Sequence, residues 1–169
     1  MITTLPEAEA LYAKLLEQLR PRVRPETAMV GIYTGGVWLA ERLHADLDLR
    51  VPLGAIDISF YRDDFHQSGL KQDIKRSHIP FEVNDRHILL VDDVLYTGRT
   101  VRGAMNELFD YGRPASIELV VLVDRGGREL PICAQYVAET IEVPAGRMLV
   151  LDRDASGRLS LRYDDERAQ

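Results

Sequence analysis

Residues 88–100 read ILLVDDVLYTGRT, and this stretch decides the fold. Four aliphatic residues end in two adjacent aspartates, a short polar turn with one glycine follows, and the next residues, VRGAMNELFDYG, have helical periodicity. An apolar run that passes through a glycine turn into a helix is typical of a strand–turn–helix unit of a parallel sheet. Carboxylates and phosphates repel each other, so two negative charges beside a possible anion-binding turn indicate a ligand with a second kind of polar group besides a phosphate.

The turn itself, residues 96–100, has the features of a phosphate-binding loop. A turn that leads into a helix presents unpaired backbone N–H groups at the positive end of the helix dipole. Thr97 and Thr100 add hydroxyl donors, and Gly98 permits a positive φ and the close approach of a ligand. We therefore expect the backbone of Tyr96, Thr97, Gly98, Arg99 and Thr100 to bind a phosphate. The patterns GxxxxGK[ST] and GxGxxG are absent, which excludes a Walker A loop and a dinucleotide fingerprint.

The acidic pair before the turn, Asp92 and Asp93, points to the rest of the ligand. Carboxylates accept hydrogen bonds from hydroxyl groups and bind Mg²⁺. Vicinal hydroxyls a short distance from a phosphate describe a ribose 5-phosphate, so this stretch predicts such a ligand. The alternative is a junction in which the two acids only cap the turn.

A second glycine turn, Thr34-Gly35-Gly36, lies between the apolar run AMVGIY and a helical segment. It also places amide donors at a helix start, so it is a candidate site for a second anion such as pyrophosphate. The alternative is a simple tight turn. We expect Trp38, in the following helix, to lie in the core rather than against a ligand.

The composition limits the remaining possibilities. The chain has 169 residues, 46% hydrophobic and 28% charged, which is typical of a single soluble domain over residues 1–169. It contains no apolar run of transmembrane length and no signal-peptide pattern, and its one cysteine, Cys133, fits a reducing cytoplasm. A net charge of −6, from 21 basic and 27 acidic residues, argues against nonspecific nucleic-acid binding.

Periodicity along the chain predicts alternating strands and helices. We predict helices over 6–20 and 100–111, and a turn followed by a helix over 34–47. We predict strands over 28–33, 54–61, 87–91 and 116–123, a loop that leads into a short strand over 124–140, and a final strand pair over 147–152 and 157–163. This order predicts an α/β fold with a mainly parallel central sheet flanked by helices. Residues 62–86 are mostly polar without a steady period, so we predict a mobile arm there. A β-hairpin is one form that the arm could take, and a lid over the site is one role that it could have.

The motif ILLVDDVLYTGRT resembles the binding motif for 5-phosphoribosyl pyrophosphate (PRPP) in type I phosphoribosyltransferases. More narrowly, the chain resembles the pyrimidine operon attenuator/uracil phosphoribosyltransferase family. The segments that carry this resemblance are VGIYTGGVWLAERL at 30–43, DISFYRDD at 57–64, VDDVLYTGRTVRGAM at 91–105 and GRPASIELVVLVDRGGRELPI at 112–132. The segment at 112–132 distinguishes this family from other phosphoribosyltransferases, because their sequences differ there.

The resemblance implies the type I phosphoribosyltransferase fold, with a small hood over residues 124–145, and the conversion of uracil and PRPP to UMP and pyrophosphate. It implies that Asp92 and Asp93 are catalytic, hold the ribose hydroxyls and contact Mg²⁺ indirectly, and that residues 96–100 hold the 5-phosphate. It places Thr34 and Gly35 at the pyrophosphate, with Arg62 as a catalytic helper from the arm. The residues implied at the base are Asp124, Arg125 and Ile132.

Two departures from the family pattern keep alternatives open. Gly35 stands where the family commonly has an arginine, so one cationic contact to pyrophosphate is missing. Gly127 and Cys133 stand where RNA-binding members tend to have a histidine and an arginine, while the arginine at 128 is kept. Besides an active uracil enzyme, the alternatives are an attenuator that mainly binds pyrimidine-operon messenger RNA, for which the acidic charge is unfavourable, or a transferase for another base. The family forms homodimers and higher oligomers.

Overall fold

The computed structural model describes residues 4–59 and 77–165. Its helices are α1 (Ala8–Leu19), α2 (Gly35–Asp46) and α3 (Arg99–Tyr111). Its strands are β1 (Ala28–Ile32), β2 (Gly54–Ile56), β3 (His87–Leu95), β4 (Ser116–Asp124), β5 (Tyr136–Thr140), β6 (Arg147–Arg153) and β7 (Leu159–Asp165).

Five strands form a parallel sheet in the order β2-β1-β3-β4-β5. The central strands have aliphatic sequences because helices cover both faces of the sheet. Every residue of β1 is buried. Strands β6 and β7 form a separate antiparallel hairpin, with Leu151 opposite Leu161. The α/β prediction with a mainly parallel central sheet is therefore confirmed, and so is the final strand pair.

The core lies on the two faces of the sheet. One face packs against α1, α2 and the β6–β7 hairpin, through buried residues such as Leu15, Leu43 and Leu151. The other face packs against α3, through residues such as Leu90 and Leu108. Among the described residues, every helix is too short or too polar to cross a bilayer.

Two strands differ from their predicted lengths by more than one residue. The strand predicted over 54–61 ends at Ile56, and residues 60 and 61 lie outside the described part of the chain. The strand predicted over 87–91 continues to Leu95, because Val94 and Leu95 pair with Val123 and Asp124 of β4. Both aspartates of the acidic pair thus lie within β3, where Asp92 pairs with Val121 of β4 and Asp93 stands between the paired residues Asp92 and Val94.

The structure differs from the prediction of an arm over 62–86 in the C-terminal part of that range. Residues 77–86 lie on the body of the protein: His78 forms an antiparallel bridge with Ala55, Val83 is buried, and Ile79 and Phe81 pack on the core. The arm prediction is wrong for these residues, because their apolar side chains are needed to cover the α3 face. Arg62 and the rest of the predicted arm lie outside the described residues.

The predicted hood over 124–145 is also too long. Residues Tyr136–Thr140 are β5, which pairs in parallel with β4 through Val120 and Val121 and belongs to the central sheet. Only the segment before β5 lies over the edge of the sheet, and its residues 125–132 are called the hood loop below.

A bidentate ion pair joins α1, α2 and β7, and it makes stability depend on pH. Glu9 accepts both terminal nitrogens of Arg42 at 3.0 Å and the Leu159 amide at 2.7 Å. The hydrogen bond from Arg42, with the Leu159 amide, holds the pKa of Glu9 below its ordinary value of 4.5 against the effect of burial. The stabilisation is therefore complete above pH 4.5 and is lost as the pH falls below it.

Glu9→Gln is expected to lower the free energy of unfolding at pH 7 by about 1–2 kcal/mol, because it removes a charge-assisted, partly exposed pair. Below pH 4 the difference from the parent protein is expected to shrink. Urea titrations at pH 7 and pH 3.5 measure both values. The matched control is Glu139→Gln, which removes the more exposed pair with Lys14 and is expected to change stability by about 0.5 kcal/mol or less. A Glu9→Gln loss that is equal at both pH values would contradict the assignment.

Candidate active site

The carboxyl ends of β1, β3 and β4 bring three connections to one edge of the sheet. The turn at 33–34 follows β1, residues 96–98 follow β3, and the hood loop follows β4. Ligands of open parallel sheets bind at this edge. The topology therefore groups the sequence segments from which the candidate site was predicted.

The candidate phosphate loop, residues 96–100, has the conformation that anion binding requires. Gly98 has φ +92°, and α3 begins directly after it at Arg99. The Arg99 amide donates to the Thr97 hydroxyl at 3.2 Å. The amides of Thr97, Gly98 and Thr100 donate no hydrogen bond to any residue within 4–59 and 77–165. These N–H groups at a helix start are therefore open to an anion.

The acidic pair is held by its own backbone. Asp92 is only 5% exposed, and its Oδ1 accepts the Asp93 amide at 2.9 Å. Asp93 is half-buried, and its Oδ1 accepts the Val94 amide at 2.8 Å. These bonds help to fix the rotamers of both carboxylates.

The second glycine turn contacts the acidic pair directly. A Cβ at Gly35 would lie 2.7 Å from Cγ of Asp93 and closer still to Oδ2, so the carboxylate rests against the bare Cα of that residue. A Cβ at Gly36 would lie 2.5 Å from the Val91 carbonyl oxygen, which shows how closely the start of α2 approaches β3. Thr34 is exposed at the N-cap of α2, and the peptide before it is cis. The glycines thus allow the α2 N-terminus to lie beside Asp93.

The hood loop packs on the candidate phosphate loop. The Arg125 guanidinium lies 3.9 Å from the centre of the Tyr96 ring, and a Cβ at Gly127 would lie 2.5 Å from the edge of that ring. A Cβ at Gly98 would lie 2.9 Å from Cγ1 of Ile132. The residues predicted at the base and those predicted at the phosphate are therefore in direct contact.

Arg128 is a site residue to which the sequence analysis assigned no role at the phosphate or the base. Its guanidinium donates to the Tyr96 carbonyl at 2.5 Å, to Oδ2 of Asp124 at 2.5 Å and to the Ile132 carbonyl at 2.9 Å. Its spacing of four residues from Asp124 has no meaning outside a helix. Its agreement with the family pattern pointed to RNA binding and not to these contacts. Two of its three acceptors are backbone carbonyls, which no sequence pattern marks.

The donor set fits a magnesium ion held mainly by the substrate. Within the described residues there is no group of three or more histidine, cysteine, aspartate or glutamate side chains that could hold a metal. Mg²⁺ in phosphate-transfer sites is commonly bound by one or two carboxylates together with substrate oxygens and water. Asp92 and Asp93 are the carboxylates between the phosphate loop and the start of α2, and their chemistry fits a metal ion that substrate oxygens and water hold.

Comparison with known proteins decides the family. The chain matches the phosphoribosyl transferase domain over residues 1–145. A relative named "Bifunctional protein PyrR" from Nitrosococcus oceani is 49% identical over 163 residues, covering 93% of this chain and 92% of the relative. One of the same name from Ralstonia nicotianae is 50% identical over 155 residues, covering 89% and 88%. The chain belongs to the PyrR family of phosphoribosyltransferases.

A solved phosphoribosyltransferase supports the fold. A hypoxanthine phosphoribosyltransferase from Staphylococcus aureus superposes with a TM-score of 0.64 at 23% identity, covering 83% of this chain and 78% of that one. The predicted family and the predicted type I phosphoribosyltransferase fold are confirmed.

The roles of the individual site residues stay predictions, although their positions are now known. At the carboxyl edge of the sheet the structure brings together Thr34, Gly35, Asp92, Asp93, residues 96–100, Asp124, Arg125 and Ile132. Arg62 lies outside the described residues.

Proposed function

We propose that the chain is a uracil phosphoribosyltransferase that converts uracil and PRPP to UMP and pyrophosphate. The observation that carries the proposal is the position of the Asp92–Asp93 pair between open amides at the start of α3 and the glycine start of α2. This arrangement offers one pentose ligand a donor set for an anion at each end and carboxylates for the hydroxyls between them. The name of the relatives and the family resemblance supply the choice of uracil.

In this reaction the bond between C1 of the ribose and pyrophosphate breaks while a bond from C1 to uracil nitrogen forms, and the proton on that nitrogen passes to the released pyrophosphate or to solvent. Positive charge develops on the sugar as its leaving group departs, and the carboxylates of Asp92 and Asp93 favour that charge. The amides at the start of α2 and the Thr34 hydroxyl are placed to hold the departing pyrophosphate. Mg²⁺, when bound, neutralises part of the charge on pyrophosphate. No protein nucleophile takes part.

The 5-phosphate is the anchor that keeps C1 in place during the transfer. The amides of Thr97, Gly98 and Thr100 hold it, and the hood loop covers the base through Arg125 and Ile132. Fixing the sugar between the phosphate loop and the base aligns the reacting atoms and removes the entropy cost of their encounter.

The proposed activity predicts that purified protein forms UMP from uracil and PRPP, and that chelation of divalent ions with EDTA abolishes the reaction. Chromatographic detection of UMP and pyrophosphate measures it. Hypoxanthine, guanine and adenine at equal concentration serve as competing bases, and we expect kcat/KM for uracil to exceed theirs by about a hundredfold, since a site built to pair polar groups rejects mismatched ones. Turnover of a purine in preference to uracil would replace the proposal with a transferase for another base.

Regulatory RNA binding is a second candidate, because the relatives are named bifunctional. The net charge of −6 and the glycine at 127 and cysteine at 133 are unfavourable for it. Filter binding to a pyrimidine-operon leader RNA at two salt concentrations, with and without UMP, decides between the two roles. Specific RNA binding requires sub-micromolar affinity that exceeds the affinity for unrelated RNA and decreases steeply with salt.

A further inference from the structure

We propose that Arg128 is a positioning residue that orients and polarises the amides of the candidate phosphate loop, and so couples base binding to phosphate binding. This inference rests on the proposed function. It assigns to Arg128 a part in holding the 5-phosphate, although its side chain does not lie among the amides that face that phosphate.

The first step is the geometry of the peptide between Tyr96 and Thr97. In a trans peptide the carbonyl and the following N–H point in opposite directions. Arg128 binds the Tyr96 carbonyl oxygen from the hood side at 2.5 Å. The Thr97 N–H therefore points away from the hood, and it is one of the amides without an acceptor in the described chain.

The next peptide is held in the same way. The Thr97 carbonyl oxygen accepts the amides of Glu129 at 3.0 Å and Leu130 at 3.1 Å, both from the hood loop. The Gly98 N–H consequently points away from the hood as well. Donors of the hood loop thus hold the carbonyls of Tyr96 and Thr97, and this fixes the direction of the N–H groups of Thr97 and Gly98.

The charge of Arg128 adds a second effect. A carbonyl that accepts a hydrogen bond from a cation is polarised, and the N–H of the same peptide becomes a stronger donor, because hydrogen bonds in a chain reinforce one another. Charge-assisted bonds are also about twice as strong as neutral ones. Loss of the guanidinium should therefore weaken the Thr97 amide as a phosphate donor even if the loop keeps its shape.

The same guanidinium fixes the part of the hood predicted to bind the base. It binds Oδ2 of Asp124 at the end of β4 and the Ile132 carbonyl at the end of the hood loop. Any shift of the hood when a base binds is transmitted to the Tyr96 carbonyl through one rigid, planar group. The binding of base and of phosphate should thus be linked, and the linkage is reciprocal.

The experiment compares Arg128→Gln with the parent protein in two readouts. The first is the ratio of the affinities for UMP and uridine, measured by titration calorimetry, which reports the contribution of the phosphate. We expect this ratio to fall about tenfold, the size expected when a positioning partner outside the ligand contacts is removed. The second is the ¹⁵N resonance of the Thr97 amide in the ligand-free protein, which should move upfield as the Tyr96 carbonyl loses its cationic donor.

The matched control is Arg153→Gln, which removes a 3.0 Å ion pair with Glu41 and a contact with Trp38 away from the phosphate loop. Both readouts should stay at parent values in this variant. If Arg128→Gln does not fold, Arg128→Lys replaces it, since lysine keeps the charge but cannot reach three acceptors in the fork geometry of arginine. An unchanged UMP-to-uridine ratio with an unmoved Thr97 resonance overturns the inference. Absence of UMP formation by the parent protein overturns the proposed function instead.

Discussion

Asp93→Asn is expected to lower kcat for UMP formation by about a hundredfold or more, the usual size of the loss when one preorganised electrostatic group is removed. Asparagine keeps the shape of the side chain and still accepts the Val94 amide that now bonds Oδ1 at 2.8 Å. What it removes is the negative charge that, in the proposed mechanism, favours positive charge on the ribose. The KM for uracil should change little, because the proposed role of Asp93 is at the sugar and not at the base.

Steady-state kinetics at saturating PRPP, together with the melting temperature of each variant, measure this effect. The control is Asp110→Asn, which neutralises an exposed carboxylate on α3 far along the helix from the loop. It alters net charge by the same amount and should leave kcat unchanged. A parent-like kcat for Asp93→Asn would show that the acidic pair does not act on the reacting sugar.

Local signals in the sequence were sufficient for the strand–turn–helix unit at the centre of the molecule. The aliphatic run of β3, the glycine at 98 and the amphipathic pattern of α3 are all contained in one short stretch, and each has a direct physical reason. The open amides of the phosphate loop follow from the same local geometry. The parallel order of the sheet followed from the alternation of strands and helices.

Pairing between strands that are distant in the sequence was harder to predict. The extension of β3 through Asp92 and Asp93 depends on β4 lying alongside it, and polar residues at the end of an apolar run give no sign of such pairing. Residues 124–140 were predicted as a loop that leads into a short strand, and β5 confirms that strand. The resemblance also placed the same residues in a hood, and no local signal assigned the strand to the central sheet. Its place in the sheet is set by the register of Tyr136 against Val120, which is a tertiary contact.

The end of the predicted arm contained a signal that the polar composition around it obscured. Ile79, Phe81 and Val83 alternate with a period of two, and all three contact the core on the α3 face. A segment whose overall composition is polar can therefore still bury alternate apolar side chains against the core. The hydrogen bonds of Arg128 illustrate the opposite case, because their acceptors are backbone carbonyls and could be found only in the folded chain.

Gly35→Ala is expected to lower kcat about a hundredfold, because displacement of a catalytic group by roughly 1 Å is enough for a loss of that size. The added Cβ would lie 2.7 Å from Cγ of Asp93, well inside van der Waals contact. Asp93 must then rotate away from α2, which breaks its bond to the Val94 amide and moves its charge off the sugar. Gly35 has no positive φ, so the effect arises from contact with Asp93 and not from backbone strain.

The control is Gly157→Ala in the β6–β7 hairpin, where φ is +87° and a Cβ meets no atom within 4 Å. This variant is expected to lose about 1 kcal/mol of stability through backbone strain and to keep its kcat. The double variant Gly35→Ala/Asp93→Asn separates contact from any other cause. If Gly35 acts through Asp93, adding Gly35→Ala to Asp93→Asn should cost much less than it does in the parent protein. Full additivity of the two losses would mean that the start of α2 serves the reaction independently of the acidic pair.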